Sequence, residues 1–221
     1  MTTSPYNREQ AEAIVMVQQY LEGLAPDARA RLRRRIRFYL GFRDEVARFH
    51  QTHLASVCSE KCYTTETSAC CGREGIATFF ADVVINILLS SPAEINALLL
   101  AVSQPTTGPN CVYLSGEGCL WRLKPIVCEM FLCDHVKIRV LEKNRSLKNR
   151  WERLRRRERL YTWPTRPVLF DELEALLRAA GLDSPLMYFH KSPGLLRLKA
   201  RAQGAVVPPE KARKRHGNCG R

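Results

Sequence analysis

The sequence predicts a mainly α-helical protein, its helices packed around a loop-rich cysteine centre with little β-structure. Three observations predict this. Apolar residues recur at three- and four-residue spacing in several long segments. Helix punctuation stands where helix ends need it, with Ser, Asp and Pro before those segments and Gly after them. Eight of the nine cysteines fall between Cys58 and Cys133, in stretches with little strand patterning.

Taken in order, Ile14, Val17, Leu21 and Leu24 make one apolar stripe, and Gly23 with the Ala25-Pro26 step ends that helix. A second helix is expected from about Asp27 to His50, with Leu32, Ile36, Tyr39 and Leu40 on its apolar face. Arg29, Arg31, Arg33, Arg34, Arg35 and Arg37 decorate the rest, as a solvated face or as a contact surface for anions. Cys58 to Cys71 has no periodicity and is a loop. Gly72 to Leu89 turns apolar and is mostly a buried helix. Asp82 within it is placed on a solvent-facing side, the alternative being a buried, hydrogen-bonded acid.

Ser91-Pro92-Ala93-Glu94 is a helix start, with Ser91 as cap, Pro92 in the first turn and Glu94 completing a capping box. That helix runs to about Ser103, and Gln104 to Asn110 is a loop. Cys111 to Cys119 is a short hairpin around Ser115-Gly116-Glu117-Gly118. Lys124-Pro125 breaks any preceding helix, and Cys128 to Leu141 is helical again. Leu147, Trp151 and Leu154 keep helical spacing inside a basic amphipathic segment, 137–166. Asp171 caps a compact helix with Glu174 three residues on. Its Leu173, Leu176, Leu177 and Ala180 face inward, and Gly181 stops it. The whole reads as one helical domain over 1–200, with a cysteine core over 58–133, followed by a flexible basic tail over 201–221.

A hydrophobic content of 45% excludes a chain disordered throughout. The longest apolar stretch, Ile76 to Leu89, is interrupted by Thr78, Asp82 and Asn86 and is shorter than the roughly 20 residues a membrane span needs. The start, MTTSPYNREQAEAIV, lacks the basic-then-apolar order of a secretory signal, so a cytoplasmic location is expected. Of the net +13, residues 137–166 carry +9 (12 Lys/Arg against 3 Glu) and residues 191–221 carry +8 (nine Lys/Arg against Glu210), which leaves −4 for the rest. Such segments suit an acidic partner, protein or nucleic acid, and Trp151, Tyr161 and Trp163 offer stacking surfaces.

In a reducing compartment a cysteine cluster points to metal before disulfides. Thiolates suit zinc, iron and iron–sulfur clusters, and sequence-near pairs aim two sulfurs at one ion with little closure entropy. Cys58-x3-Cys62 meets that need. Adjacent Cys70-Cys71 point apart in extended backbone, so they serve two ions, a cluster, or one ligand with a packed neighbour. Cys111-x7-Cys119-x8-Cys128-x4-Cys133 forms the second group. The alternatives are buried small hydrophobes, or disulfides in an exported chain. Cys219 is a tail thiol, and His53 and His135 read as packed or surface residues rather than ligands.

The segment NCVYLSGEGCLWRLKPIVCEMF resembles the YkgJ-type cysteine-cluster proteins, a zinc- or iron-chelating family. That family has a cysteine-rich loop ending in adjacent cysteines. Further on it has Cys, a few residues, Cys, an aromatic, a basic-Pro pair, another Cys and an aromatic. Here the later positions are Cys111, Cys119, Lys124-Pro125, Cys128 and Phe131, and the earlier loop is Cys58, Cys62, Cys70 and Cys71. Trp121 stands near the family's usual tyrosine, Lys124 replaces an arginine, and Glu129 replaces a basic residue. Seven residues separate Cys62 from Cys70, where the family has about three. The resemblance covers 58–133 and implies bound zinc or iron, the latter as an iron–sulfur cluster. It implies no settled reaction.

The sequence holds no Gly-rich phosphate loop, no HExxH and no supported nucleophilic serine. Three readings follow. The first is a metal- or cluster-binding protein using Cys58, Cys62, Cys70, Cys71, Cys111, Cys119, Cys128 and Cys133. The second is a metal-dependent redox or protein-modifying enzyme with an open coordination position. The third is a nucleic-acid-binding protein with a structural metal.

Overall fold

Ser4 starts the first helix, its hydroxyl accepting the Asn7 amide at 3.1 Å with Pro5 in the first turn. The computed structural model describes residues 4–60, 77–105, 110–116 and 118–204. Helices α1 (Pro5–Glu22), α2 (Pro26–His53) and α3 (Ala55–Cys58) come first, then α4 (Phe80–Leu89) and α5 (Pro92–Ser103). A two-stranded antiparallel hairpin, β1 (Leu114–Ser115) with β2 (Gly118–Cys119), is the one sheet among the described residues. The short α6 (Ile126–Glu129) and α7 (Asp134–Val136) lead through a π-helical turn, Lys137–Leu141, to α8 (Arg145–Thr162). Helices α9 (Leu169–Ala179), α10 (Tyr188–Lys191) and α11 (Pro193–Ala202) follow. The chain is mainly α, as its periodicity predicts.

Helix α4 is the axis of the fold. Every residue from Phe80 to Leu88 is buried, and a helix apolar all round needs neighbours all round. Helices α1, α2 and α9 supply them, and α5 covers the far side of α1. Rings seal the end of α4: Phe79 lies 5.7 Å from Phe170 and 5.6 Å from Phe189. The Phe80 amide donates to the Leu186 carbonyl at 3.2 Å, tying α4 to the stretch before α10.

The Ser91–Glu94 capping box forms as the sequence predicts, with Ser91 Oγ accepting the Glu94 amide and the Glu94 carboxylate accepting the Ser91 amide at 2.7 Å. The hairpin forms between Leu114–Ser115 and Gly118–Cys119, where Gly118 takes φ +110°, a conformation that suits glycine. Other expectations need correction. Cys128 to Leu141 is not one helix: residues 131–133 are non-helical and Cys133 is extended at ψ 159°, so α6 and α7 are separate turns. The basic segment is helical over Arg145–Thr162, because Asn144 is extended and its side chain caps the Leu147 amide at 3.1 Å. Asp171 does not cap α9. Val168 occupies that position, and the Asp171 carboxylate is taken by Lys199 Nζ at 2.6 Å. Ala180 is exposed, while Phe170 and Glu174 face inward. The loop expected from Cys58 begins instead with helical turns through residue 60, and residues 61–76 and the tail from residue 205 lie outside the described residues.

Helices α9, α10 and α11 are joined by ionisable groups. His190 Nδ1 lies 3.0 Å from Glu174 Oε2, and His190 Nε2 faces Asp171 Oδ1 at 3.5 Å. Burial pushes the Glu174 carboxyl up from 4.5 to about 8, and burial lowers the His190 imidazole. Glu174 therefore keeps its proton at neutral pH. A carboxyl raised on folding contributes stability that is complete below its unfolded value and lost as pH rises through the folded one. Melting temperatures should accordingly fall between pH 4.5 and about 8. Glu174→Gln should flatten that component, which is on the order of a few kcal/mol. An unchanged pH profile in the variant contradicts the assignment.

Candidate metal centre

The site rests on a buried polar frame. Asp82 is 2% exposed, so its expected solvent-facing position is wrong: α4 has no solvent side at that level. Its Oδ1 accepts the Ile126 amide at 3.1 Å and its Oδ2 the Phe79 amide at 3.2 Å. One turn on, Asn86 donates to the Leu123 carbonyl at 3.0 Å and accepts the Leu123 amide at 2.8 Å. Together the two side chains clamp the 123–126 strip, where Lys124-Pro125 leaves backbone groups without helical partners. Arg43, buried on α2, completes the frame by donating to Tyr39 Oη at 2.8 Å and to the Lys124 carbonyl at 2.5 Å. Burial raises the Asp82 carboxyl to about 7, against the pull of Arg43 and the two amides.

Against this frame lies a cavity of about 500 Å³, walled by the last turns of α2, by α3, by β2 and by residues 121–129. Cys58 and Cys119 both line it, together with His50, Trp121, Glu129 and Arg43. Two buried polar atoms in its wall, His50 Nε2 and Trp121 Nε1, have no hydrogen-bond partner. A buried, unpaired polar atom costs stability, and both of these face groups on the cavity wall. Burial also lowers the His50 imidazole, with Glu129 opposing and Lys124 and Arg43 assisting. His50 is therefore neutral near pH 7, the form in which imidazole binds metal.

Cys111 and Cys128 lie outside the cavity lining. Burial raises the Tyr6 hydroxyl, and the thiols of Cys111 and Cys128 add to the push. Burial likewise raises Tyr113, with Tyr6, Cys111 and Cys119 adding. Cys111 thus shares one ring with Cys128 and another with Cys119, and Cys119 shares the cavity with Cys58. Cys58 and Cys119 line the cavity, and all four of these cysteines are half-buried. Cys133 precedes α7 and packs on the core, away from the cavity lining. Cys62, Cys70, Cys71 and Cys219 lie outside the described residues. Among the described residues, no three His, Cys, Asp or Glu side chains stand close enough together to hold a metal ion.

No protein family, no curated protein and no solved structure matches this chain. The chemistry of the site therefore rests on its own donors. Two thiols, an imidazole and a carboxyl line one cavity, of the donor types that zinc and iron accept, without three of them close enough to share an ion. Sequence reasoning missed His50 and Arg43. The available signal for His50 was its place eight residues, about two helical turns, before Cys58. His53 packs its ring 5.1 Å from Phe49, and His135 lies 3.5 Å from Arg139.

Proposed function

We propose that the protein binds a transition metal through its clustered cysteines, as an iron–sulfur cluster or as zinc. The observation that carries this reading is the cavity shared by Cys58 and Cys119, with His50 Nε2 buried and unpaired in its wall. Cys58, Cys111, Cys119 and Cys128 are the described thiol donors, and Cys62, Cys70, Cys71 and Cys133 complete the sequence-derived set. The resemblance of 58–133 to the YkgJ-type proteins supports the same chemistry. A bound metal joins the 58–71 segment to the 111–128 segment, so it acts as a staple whether or not it also reacts. A vacant coordination position would favour the enzyme reading, and a position closed by four protein ligands the structural one.

The test is elemental analysis of protein purified without oxygen, counting iron, zinc and acid-labile sulfide per chain. Iron with matching sulfide and a brown colour identifies a cluster. Stoichiometric zinc in a colourless protein identifies a zinc site. Metal that is substoichiometric and removed by dialysis overturns the proposal.

A further inference from the structure

Helices α2 and α8 pack antiparallel over residues 38–49 of the first and 151–161 of the second. Phe49 meets Trp151 at 5.4 Å, Arg157 pairs with Glu45, Phe42 stacks on Tyr161 at 5.4 Å, and Tyr161 Oη donates to the Phe38 carbonyl at 3.1 Å. This pairing sets the arginine-rich stretch 29–37 of α2 past the C-terminal end of α8, so the two arginine arrays, more than a hundred residues apart in sequence, follow one another along the helix pair. Residues 29–37 hold six arginines and no acid, and Arg145–Thr162 holds eight Lys/Arg against Glu152 and Glu158. Arg31, Arg34, Arg153 and Arg156 are exposed on the two helices. Spacings of three and four place Arg31, Arg34 and Phe38 on one stripe, and Arg156, Leu160 and Trp163 on another.

The aromatic residues on this surface differ from those the sequence marks. Trp151 is 5% exposed and Tyr161 is wedged between Tyr39 and Phe42, so neither is available to stack. Phe38 is instead 68% exposed and Trp163 is 42% exposed. Each already carries a guanidinium over its face: Arg37 lies 4.5 Å from the Phe38 ring and Arg159 lies 5.3 Å from the Trp163 ring. Tyr161 Oη bonds the Phe38 carbonyl and Trp163 follows Tyr161 by two residues, so both residues stand at the same end of the helix pair.

We infer that the α2–α8 face binds single-stranded nucleic acid, with Arg31, Arg34, Arg153 and Arg156 on phosphates and Phe38 and Trp163 under bases. The open rings decide between anionic partners. Acidic peptides neutralise arginines but have no flat base to lay on a ring, and a duplex keeps its bases stacked inside. A membrane surface draws on an apolar helix face, and the apolar residues Trp151 and Leu154 of α8 point into the core. This inference is independent of the metal.

The test uses the full chain and a fluorescein-labelled single-stranded oligonucleotide, as RNA and as DNA, followed by anisotropy across a salt series. Affinity should fall with salt at a log–log slope of roughly −0.7 per phosphate contacted. Phe38→Ala and Trp163→Ala should each weaken binding about 5- to 100-fold with the slope unchanged, since stacking carries no counterion release. Arg34→Gln with Arg156→Gln should reduce the slope by about 1.4. All four positions are exposed, so folding is checked simply by an unchanged melting temperature. The inference is overturned by absent binding, or by ring variants that bind like the wild type, which would assign any affinity to charge elsewhere. Equal competition by poly-aspartate, or preference for anionic vesicles, overturns it in favour of another partner.

Discussion

Arg43→Ala should cost about 3–5 kcal/mol of stability, the range for removing one partner from a buried charged network. Arg43 sits 4% exposed and holds three things at once: the Tyr39 hydroxyl, the Lys124 carbonyl and the electrostatic balance of Asp82 and Glu129. Without it, Tyr39 and Lys124 keep buried polar atoms with fewer partners, and Asp82 faces two amides with no cation beside it. The pH dependence follows with a definite sign. Burial already raises Asp82 from 3.8 to about 7, so its contribution is complete below 3.8 and lost as pH rises through 7. In Arg43→Ala the same loss should extend to higher pH and become larger, because the cation that favoured the carboxylate is gone. Urea denaturation at pH 5 and pH 8 measures both effects. The double variant Arg43→Met with Asp82→Asn should lose less than the sum of its parts, and strict additivity would show that the two groups are uncoupled.

On the proposed metal-binding reading, Cys119→Ser should lower both the metal content and the melting temperature of the protein. Cys119 lines the cavity with Cys58 and is also felt by Tyr113, so it stands where the two groups of sulfurs meet. Because a metal held by two distant segments contributes its binding free energy to folding, the loss should be several kcal/mol. Cys58→Ser should act in the same direction. Cys219→Ser should leave both metal content and melting temperature unchanged. A Cys119→Ser protein with full metal and wild-type melting would place the metal elsewhere.

Much of this architecture is written locally. The stripe of Ile14, Val17 and Leu21 and the Ser91–Glu94 box depend on neighbours three or four residues away, and both appear as read. What fails is whatever depends on distant neighbours. Periodicity assigned Asp82 a side of its helix, but whether that side meets water depends on α2 and on the 123–126 strip. Arg43 follows six other arginines on the same helix, and nothing local separates the one that is buried from those that are solvated. Asp171 and Glu174 carry the spacing of a helix start, yet His190 and Lys199 claim their carboxylates from later in the chain. At the candidate site the cysteines were singled out from number and spacing, and the structure places Cys58 and Cys119 on one cavity. His50 was not, because its significance comes from Cys119, which stands far along the chain.

The enclosure of α4 has a consequence for biosynthesis. Its ten residues are among the most apolar in the chain, and α9 and the Leu186 carbonyl, which help to enclose it, are translated about a hundred residues after it. At ribosomal speeds of roughly 5–20 residues per second, that segment waits several seconds without its final partners. A nascent chain arrested before Leu186 therefore presents a sticky, incompletely covered rod, the kind of species that chaperones retain and that aggregates when they do not.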